Sequence, residues 1–191
     1  MAAFPYQPPG DAVIRGLKFG RLEYLGEELA ELLAEWLQAW TTDLDLVVPV
    51  PLHWSRRWIR GYNQAERIAR PLAAALDLPC VAALRRERWT RPQTSLTREE
   101  RRHSQRQSFC LASSADIRDA SVLLVDDVMT TGATLRAAAA VLRRGGAARV
   151  IAAVAARTPG AEEATLAVAR PAPPLRWPGA AAKDPCLGAR V

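Results

Sequence analysis

Val122-Leu-Leu-Val-Asp126-Asp127-Val-Met-Thr130-Thr131-Gly132-Ala133-Thr134 is the stretch whose reading decides the fold of this chain. Four apolar residues in a row, 122–125, predict a strand covered on both faces. From Ala133 to Arg144 the sequence is alanine-rich, with Leu135, Ala138, Ala139 and Leu142 on one helical face and Gly145-Gly146 as the stop. A buried strand passing directly into a helix is a unit of a parallel α/β sheet, and ligands of such sheets collect at the carboxyl ends of the strands. The turn between the two suits an anion. A helix N-terminus offers unpaired N–H groups and about half a positive charge. Gly132 admits close backbone approach, and Thr130, Thr131 and Thr134 add hydroxyl donors. No GxxxxGK[ST] occurs, so the lysine wanted beside a triphosphate is missing and a single phosphate monoester fits better. Asp126 and Asp127 would repel each other beside a phosphate unless hydroxyls or a cation compensate them. Vicinal hydroxyls of a sugar carrying that phosphate, with Mg2+ close by, meet both needs. The plainer alternative is a capped helix after a buried strand with its acids merely solvated. Thr-Thr-Gly-x-Thr at fixed spacing weighs against it.

Outward from this segment the alternation continues. Residues 46–50 form a short β-branched run with Pro49 and Pro51, a strand entering a constrained loop. Asn63 stands where a helix cap is expected, ahead of Ile68, Leu72 and Leu76 at four-residue spacing, with Asp77 and Pro79 as the end. Residues 80–84 are a weaker strand candidate and residues 150–156 a buried one. Leu22, Leu25, Leu29, Leu32, Leu33, Trp36, Leu37 and Trp40 recur at helical spacing, with the tryptophans read as core or interface. These elements predict an α/β protein with a doubly wound, mostly parallel sheet. Residues 1–10 are expected to be an N-terminal extension, 11–158 the domain, and 159–191 a disordered tail holding six of the fourteen prolines.

The chain has 191 residues, one domain's worth, with 49% hydrophobic and 24% charged residues, too apolar for a disordered protein. Cys80, Cys110 and Cys186 are few, odd in number and far apart, which excludes a disulfide framework and a zinc ribbon built from them. With no signal core and no membrane-length apolar run, the sequence is expected to be cytoplasmic. The net charge of +6 is concentrated between Arg85 and Arg106, where eight arginines face three glutamates. That stretch lacks an apolar period and reads as a loop, either simply solvated or aimed at a polyanion. His53 and His103 have no partner spacing, and no Ser-His or Cys-His arrangement stands out.

The string VLLVDDVMTTGAT resembles the phosphoribosyl-pyrophosphate (PRPP) signature of type I phosphoribosyltransferases. Further blocks are similar, in order, to the ComF family: Leu17-Lys18-Phe19, Val48-Pro-Val-Pro-Leu52, Arg60-Gly-Tyr-Asn-Gln64, Gln93-Thr94-x-Leu96 with Arg101 and Arg102, and Arg157-Thr158. The resemblance covers about residues 4–158. It implies that Asp126 and Asp127 are the catalytic acids, holding the ribose hydroxyls and Mg2+ directly or through water. Thr130, Thr131, Gly132, Ala133 and Thr134 would cradle the 5-phosphate. Val50, Pro51, Leu52 and His53 would meet pyrophosphate, with a trans Val50–Pro51 bond as the default. Arg60, Asn63 and Gln64 would either face the ligand or act as cap and surface. The basic stretch, with Arg91, Gln93, Thr94, Arg101 and Arg102, would be a mobile loop closing over PRPP, or else a contact for single-stranded DNA in which Trp89 could stack on a base. Lys18 and Arg15 read as surface charge unless their segment folds over the site.

The implied function is that of a Mg2+-dependent, PRPP-binding, phosphoribosyltransferase-like protein linked to DNA uptake. The alternative is a non-catalytic ligand- or ssDNA-binding module working with a helicase-like ATPase. No segment identifies an acceptor. Related domains often dimerise, so a homodimer is part of the expectation. Many members of the family begin with a cysteine-rich zinc ribbon, which the cysteines of this sequence do not reproduce.

Overall fold

The structure, a computed structural model, describes residues 1–19, 22, 24–37, 43–52, 61–86 and 109–159. Four parallel strands make the main sheet, β1 (Ala2–Pro5), β2 (Leu46–Pro49), β5 (Ser121–Met129) and β6 (Arg149–Arg157), in the spatial order β1-β6-β5-β2. A separate antiparallel ribbon joins β3 (Leu84–Arg86) to β4 (Phe109–Leu111).

Side chains alternate across a strand, so a sheet covered on both faces needs an apolar residue at every position. Strands β2 and β5 follow that rule. Leu46, Val48, Val122 and Leu124 point to one side, where they pack with Leu135, Ala138 and Leu142 of α4 (Ala133–Arg144) and with the ribbon through Leu84 and Phe109. Val47, Leu123 and Val125 point to the other. There they meet Ile14 and Leu17 of α1 (Gly10–Phe19), Leu29 and Leu33 of α2 (Leu25–Leu37), and Ile68 and Leu72 of α3 (Gln64–Ala75). Helices on both faces of a parallel sheet are the doubly wound α/β architecture that the sequence predicts.

Several expectations change. Residues 2–5 are not an extension outside the domain: they form β1, in register with β6 from Ala2↔Val154 to Pro5↔Arg157. Gly10 then opens a helix, α1, that the periodicity did not single out. Strand β5 continues four residues past Val125, so both acids belong to the strand itself. Trp36 is 57% exposed and is not core, because the buried stripe of α2 runs through Leu29, Ala30, Leu33, Ala34 and Leu37. Residues 160–191, Trp40, Trp89 and most of the basic stretch lie outside the described residues.

Candidate functional site

A cavity of about 310 Å3 opens where β2 stops and β5 carries on. The two strands pair from Leu46↔Val122 to Pro49↔Val125, and the Val50 N–H makes a last bond to the Val125 carbonyl at 2.9 Å. Proline has no N–H for the ladder, so Pro51 cannot extend the pairing and the chain turns away. Strand β5 goes on alongside β6, with Asp126↔Val154 and Val128↔Ala156 in register. Its other edge, beyond Val125, faces the cavity, and Asp126, Asp127 and Val128 line it. The Asp127 N–H at that edge donates to Asp126 Oδ1 at 2.9 Å.

The two acids differ in environment. Desolvation first, and then the Asp127 carboxylate, push the Asp126 carboxyl up to about 8, against the lowering effect of the Asp127 N–H and of Lys18 and Arg86. Asp126 is only partly accessible to solvent, and its removal from water disfavours its charge. Asp127 is paired instead: Lys18 Nζ lies 3.0 Å from its Oδ2, with side-chain exposures of 19% and 14%. Asp126 thus favours its neutral form, while Asp127 faces the Lys18 ammonium.

Thr130 and Thr134, on either side of the α4 N-cap in sequence, also line the cavity. Gly132 is the N-cap, buried, at φ 71°, a left-handed conformation that favours glycine. Thr131, expected in the same cradle, is not among the residues that line the cavity. It is exposed, its Oγ1 accepts the Ala133 N–H at 3.4 Å, and its carbonyl accepts Arg136 Nη2 at 2.7 Å. It shapes the turn, and Thr130 and Thr134 supply the hydroxyls on the wall.

Val50, Pro51 and Leu52 form another wall, and the peptide bond between Val50 and Pro51 is trans. Asn63 sits at the N-cap of α3 but makes no capping hydrogen bond; its Nδ2 donates instead to the Val50 carbonyl at 3.0 Å. The residue that looked like a cap thus ties the helix to the loop. Gln64 is buried beside it on the cavity. His53, Arg60, Arg91, Gln93, Thr94, Arg101 and Arg102 lie outside the described residues.

Lys18, Tyr6 and Arg86 also line the cavity; sequence reasoning did not single out Tyr6, left Lys18 as surface charge, and took Arg86 only as part of the basic stretch. Lys18 read as surface charge, and only its place in the Leu17-Lys18-Phe19 block hinted otherwise. Arg86 was one of eight arginines in its run, and here its guanidinium lies 5.2 Å from the centre of the Phe109 ring. Tyr6 follows the edge strand that the prolines concealed. Among the described residues no group of three His, Cys, Asp or Glu side chains is arranged to hold a metal; Asp126 and Asp127 are the carboxylates that line the cavity.

Residues 61–171 match the phosphoribosyl transferase domain family. The chain is 35% identical over 146 residues to Competence protein F of Haemophilus influenzae, covering 73% of this chain and 64% of that protein. It is 36% identical over 151 residues to DNA utilization protein YhgH of Escherichia coli K12, covering 76% and 66% respectively. The chain therefore spans slightly less than two thirds of the length of these relatives. Glutamine PRPP amidotransferase from B. subtilis is similar in fold, with a TM-score of 0.53 at 20% identity over 74% of this chain and 30% of that one.

Proposed function

This chain belongs to the phosphoribosyl transferase domain family, and we propose that its cavity binds PRPP with Mg2+ and serves phosphoribosyl transfer in a DNA-uptake or competence setting. The observation that carries this reading is the convergence of Asp126, Asp127, Thr130, Thr134 and residues 50–52 on one cavity at the carboxyl ends of β2 and β5. The donor set fits Mg2+. It consists of hard oxygens, and Mg2+ is commonly held by one or two carboxylates together with substrate phosphates rather than by an all-protein cage. When bound, the ion neutralises charge on the departing pyrophosphate.

The residues divide the remaining work. Thr130, Thr134 and the first-turn amides of α4 hold the 5-phosphate. Asp126 and Asp127 accept hydrogen bonds from the ribose hydroxyls. Residues 50–52 face the pyrophosphate, kept in place by two prolines and by the Asn63 bond to Val50. Lys18 and Arg86 add positive charge to the lining. The reaction such a site supports is substitution at the anomeric carbon. The bond from that carbon to pyrophosphate breaks, the pyrophosphate takes the electron pair, and the acceptor's lone pair forms the new bond.

Isothermal titration of PRPP with and without Mg2+ tests the reading. Mg2+-dependent binding is expected, and Asp126→Asn with Asp127→Asn should abolish it. Undiminished binding in that double variant would overturn the assignment. The names of the relatives, a competence protein and a DNA utilization protein, favour a second reading, in which the same fold serves as a ligand- or ssDNA-binding module beside a helicase-like ATPase. Pyrophosphate release across a panel of acceptors supports the enzyme; PRPP binding without turnover, joined to salt-sensitive ssDNA binding, supports the module. No helix among the described residues is long and apolar enough to cross a membrane. Either reading carries a cytoplasmic location with it.

A further inference from the structure

The contact between Lys18 and Asp127 joins a helix from the start of the chain to an acid more than a hundred residues away, and neither side chain is more than one-fifth exposed. Surface ion pairs contribute little because water screens them, but a pair withdrawn from water is strongly coupled to any third charge brought beside it. Lys18 is also held from behind. Ile14 and Leu17 of α1 are fully buried, which fixes the rotation of the helix. Tyr62 donates its hydroxyl hydrogen to the Leu17 carbonyl, one residue before the lysine. The Tyr62 ring lies against the Arg67 guanidinium, 5.7 Å from ring centre to carbon. The next residue, Asn63, grips Val50. Two consecutive residues thus tie the end of α1 and the loop at Val50 to the start of α3.

We propose that Lys18 is a positioning cation that occupies Asp127 in the unliganded protein and must be displaced by a divalent ion, so that the site takes its metal together with an anionic phosphosugar rather than alone. The identity of the ligand rests on the reading in the preceding subsection; the exchange itself rests on the geometry. An ammonium 3.0 Å from Asp127 Oδ2 repels a divalent ion arriving at the same carboxylate. A metal entering alone has to expel the lysine and leave its charge unpaired inside the cavity. A metal entering on a pyrophosphate brings the anionic oxygens to which the displaced ammonium can turn on its flexible stem. Tyr62 acts through Lys18 by setting where the end of α1 lies.

Mn2+ binding to the full chain, followed by the electron paramagnetic resonance signal of the free ion, tests this without any need for turnover. Lys18→Met, which keeps the length of the stem, is expected to bind Mn2+ alone roughly ten-fold tighter than the wild type, because an acid pair stripped of its partner is left uncompensated. Lys18→Arg should restore weak binding. Tyr62→Phe should raise Mn2+ affinity about two- to three-fold by loosening one hydrogen bond. Asp127→Asn combined with Lys18→Met should erase the gain. Added PRPP should strengthen Mn2+ binding in the wild type by a larger factor than in Lys18→Met. Mn2+ affinity in Lys18→Met equal to or weaker than in the wild type, with PRPP still bound, would overturn the exchange and leave the phosphosugar reading intact. A gain in Mn2+ affinity in a protein that never binds PRPP would support the exchange and remove the phosphosugar reading.

Discussion

Asp126 is held in a place that suits its neutral form, and this has a consequence for stability. Its carboxyl is raised from the ordinary 3.8 to about 8, mainly by desolvation and then by Asp127. The folded chain therefore binds this proton more tightly than the unfolded chain does. The stability associated with it is fully present below about pH 4 and is lost as pH rises toward 8, with a slope of up to about 1.4 kcal/mol per pH unit for one proton. Urea unfolding at several pH values, without divalent ions, should show this decline, and Asp126→Asn should flatten it. A decline of the same slope in Asp126→Asn would place its origin elsewhere. Asn63 gives a second prediction at this scale. Its amide satisfies the Val50 carbonyl from a buried position, so Asn63→Ala should cost about 1–3 kcal/mol in the same assay and weaken ligand binding by releasing the loop.

The pairing of α2 with α3 depends on two residues whose roles are plain only once the helices meet. Pro71 lies inside α3 and supplies no N–H to the carbonyl of Arg67, one turn earlier. Gly26 of α2 comes so close to that carbonyl that an added Cβ would stand 2.6 Å from the oxygen. Gly26→Ala should therefore destabilise the protein by about 1–3 kcal/mol despite alanine's better helix propensity, since the obstacle is backbone and cannot swing aside. A thermal melt equal to or above the wild type would contradict this. Elements whose own residues carry the pattern were legible: the apolar run at Val122, the alanine-rich helix after Gly132 and the β-branched run at Leu46 all appear at or near their expected positions. The acids and threonines converge because they are neighbours along the chain. Lys18, Tyr6 and Arg86 reach the same cavity from segments far away in sequence: a short block marks Lys18, the basic run marks Arg86 only as one arginine among eight, and nothing local marks Tyr6. The three-residue strands β3 and β4 are too short for any period to show.

At the scale of the molecule, the least legible feature is the closure of the sheet at its N-terminal edge. A four-residue strand ending in proline, followed by Pro8 and Pro9, has the composition of a tail. Yet β6 is the second strand from that side, and its backbone groups on the flank away from β5 need hydrogen-bond partners. Strand β1 supplies them in parallel register, the Val154 N–H bonds the Met1 carbonyl at 3.1 Å, and the Tyr6 N–H continues the contact to the Arg157 carbonyl. The same strand leads into α1 and so places both Tyr6 and Lys18 on the cavity. Edge and site are thus one construction, and removing residues 1–6 should damage both. The shortened chain loses its edge-strand bonds and exposes the flank of β6, which should lower the melting temperature by several degrees, in line with about 1–2 kcal/mol for a domain of this size. It should also weaken Mg2+-dependent PRPP binding more than the fall in stability accounts for, measured by calorimetry well below the melt. A shortened chain with unchanged melting and unchanged binding would show that the edge strand supports neither the sheet nor the cavity, and that residues 1–6 are the detachable extension their composition suggests.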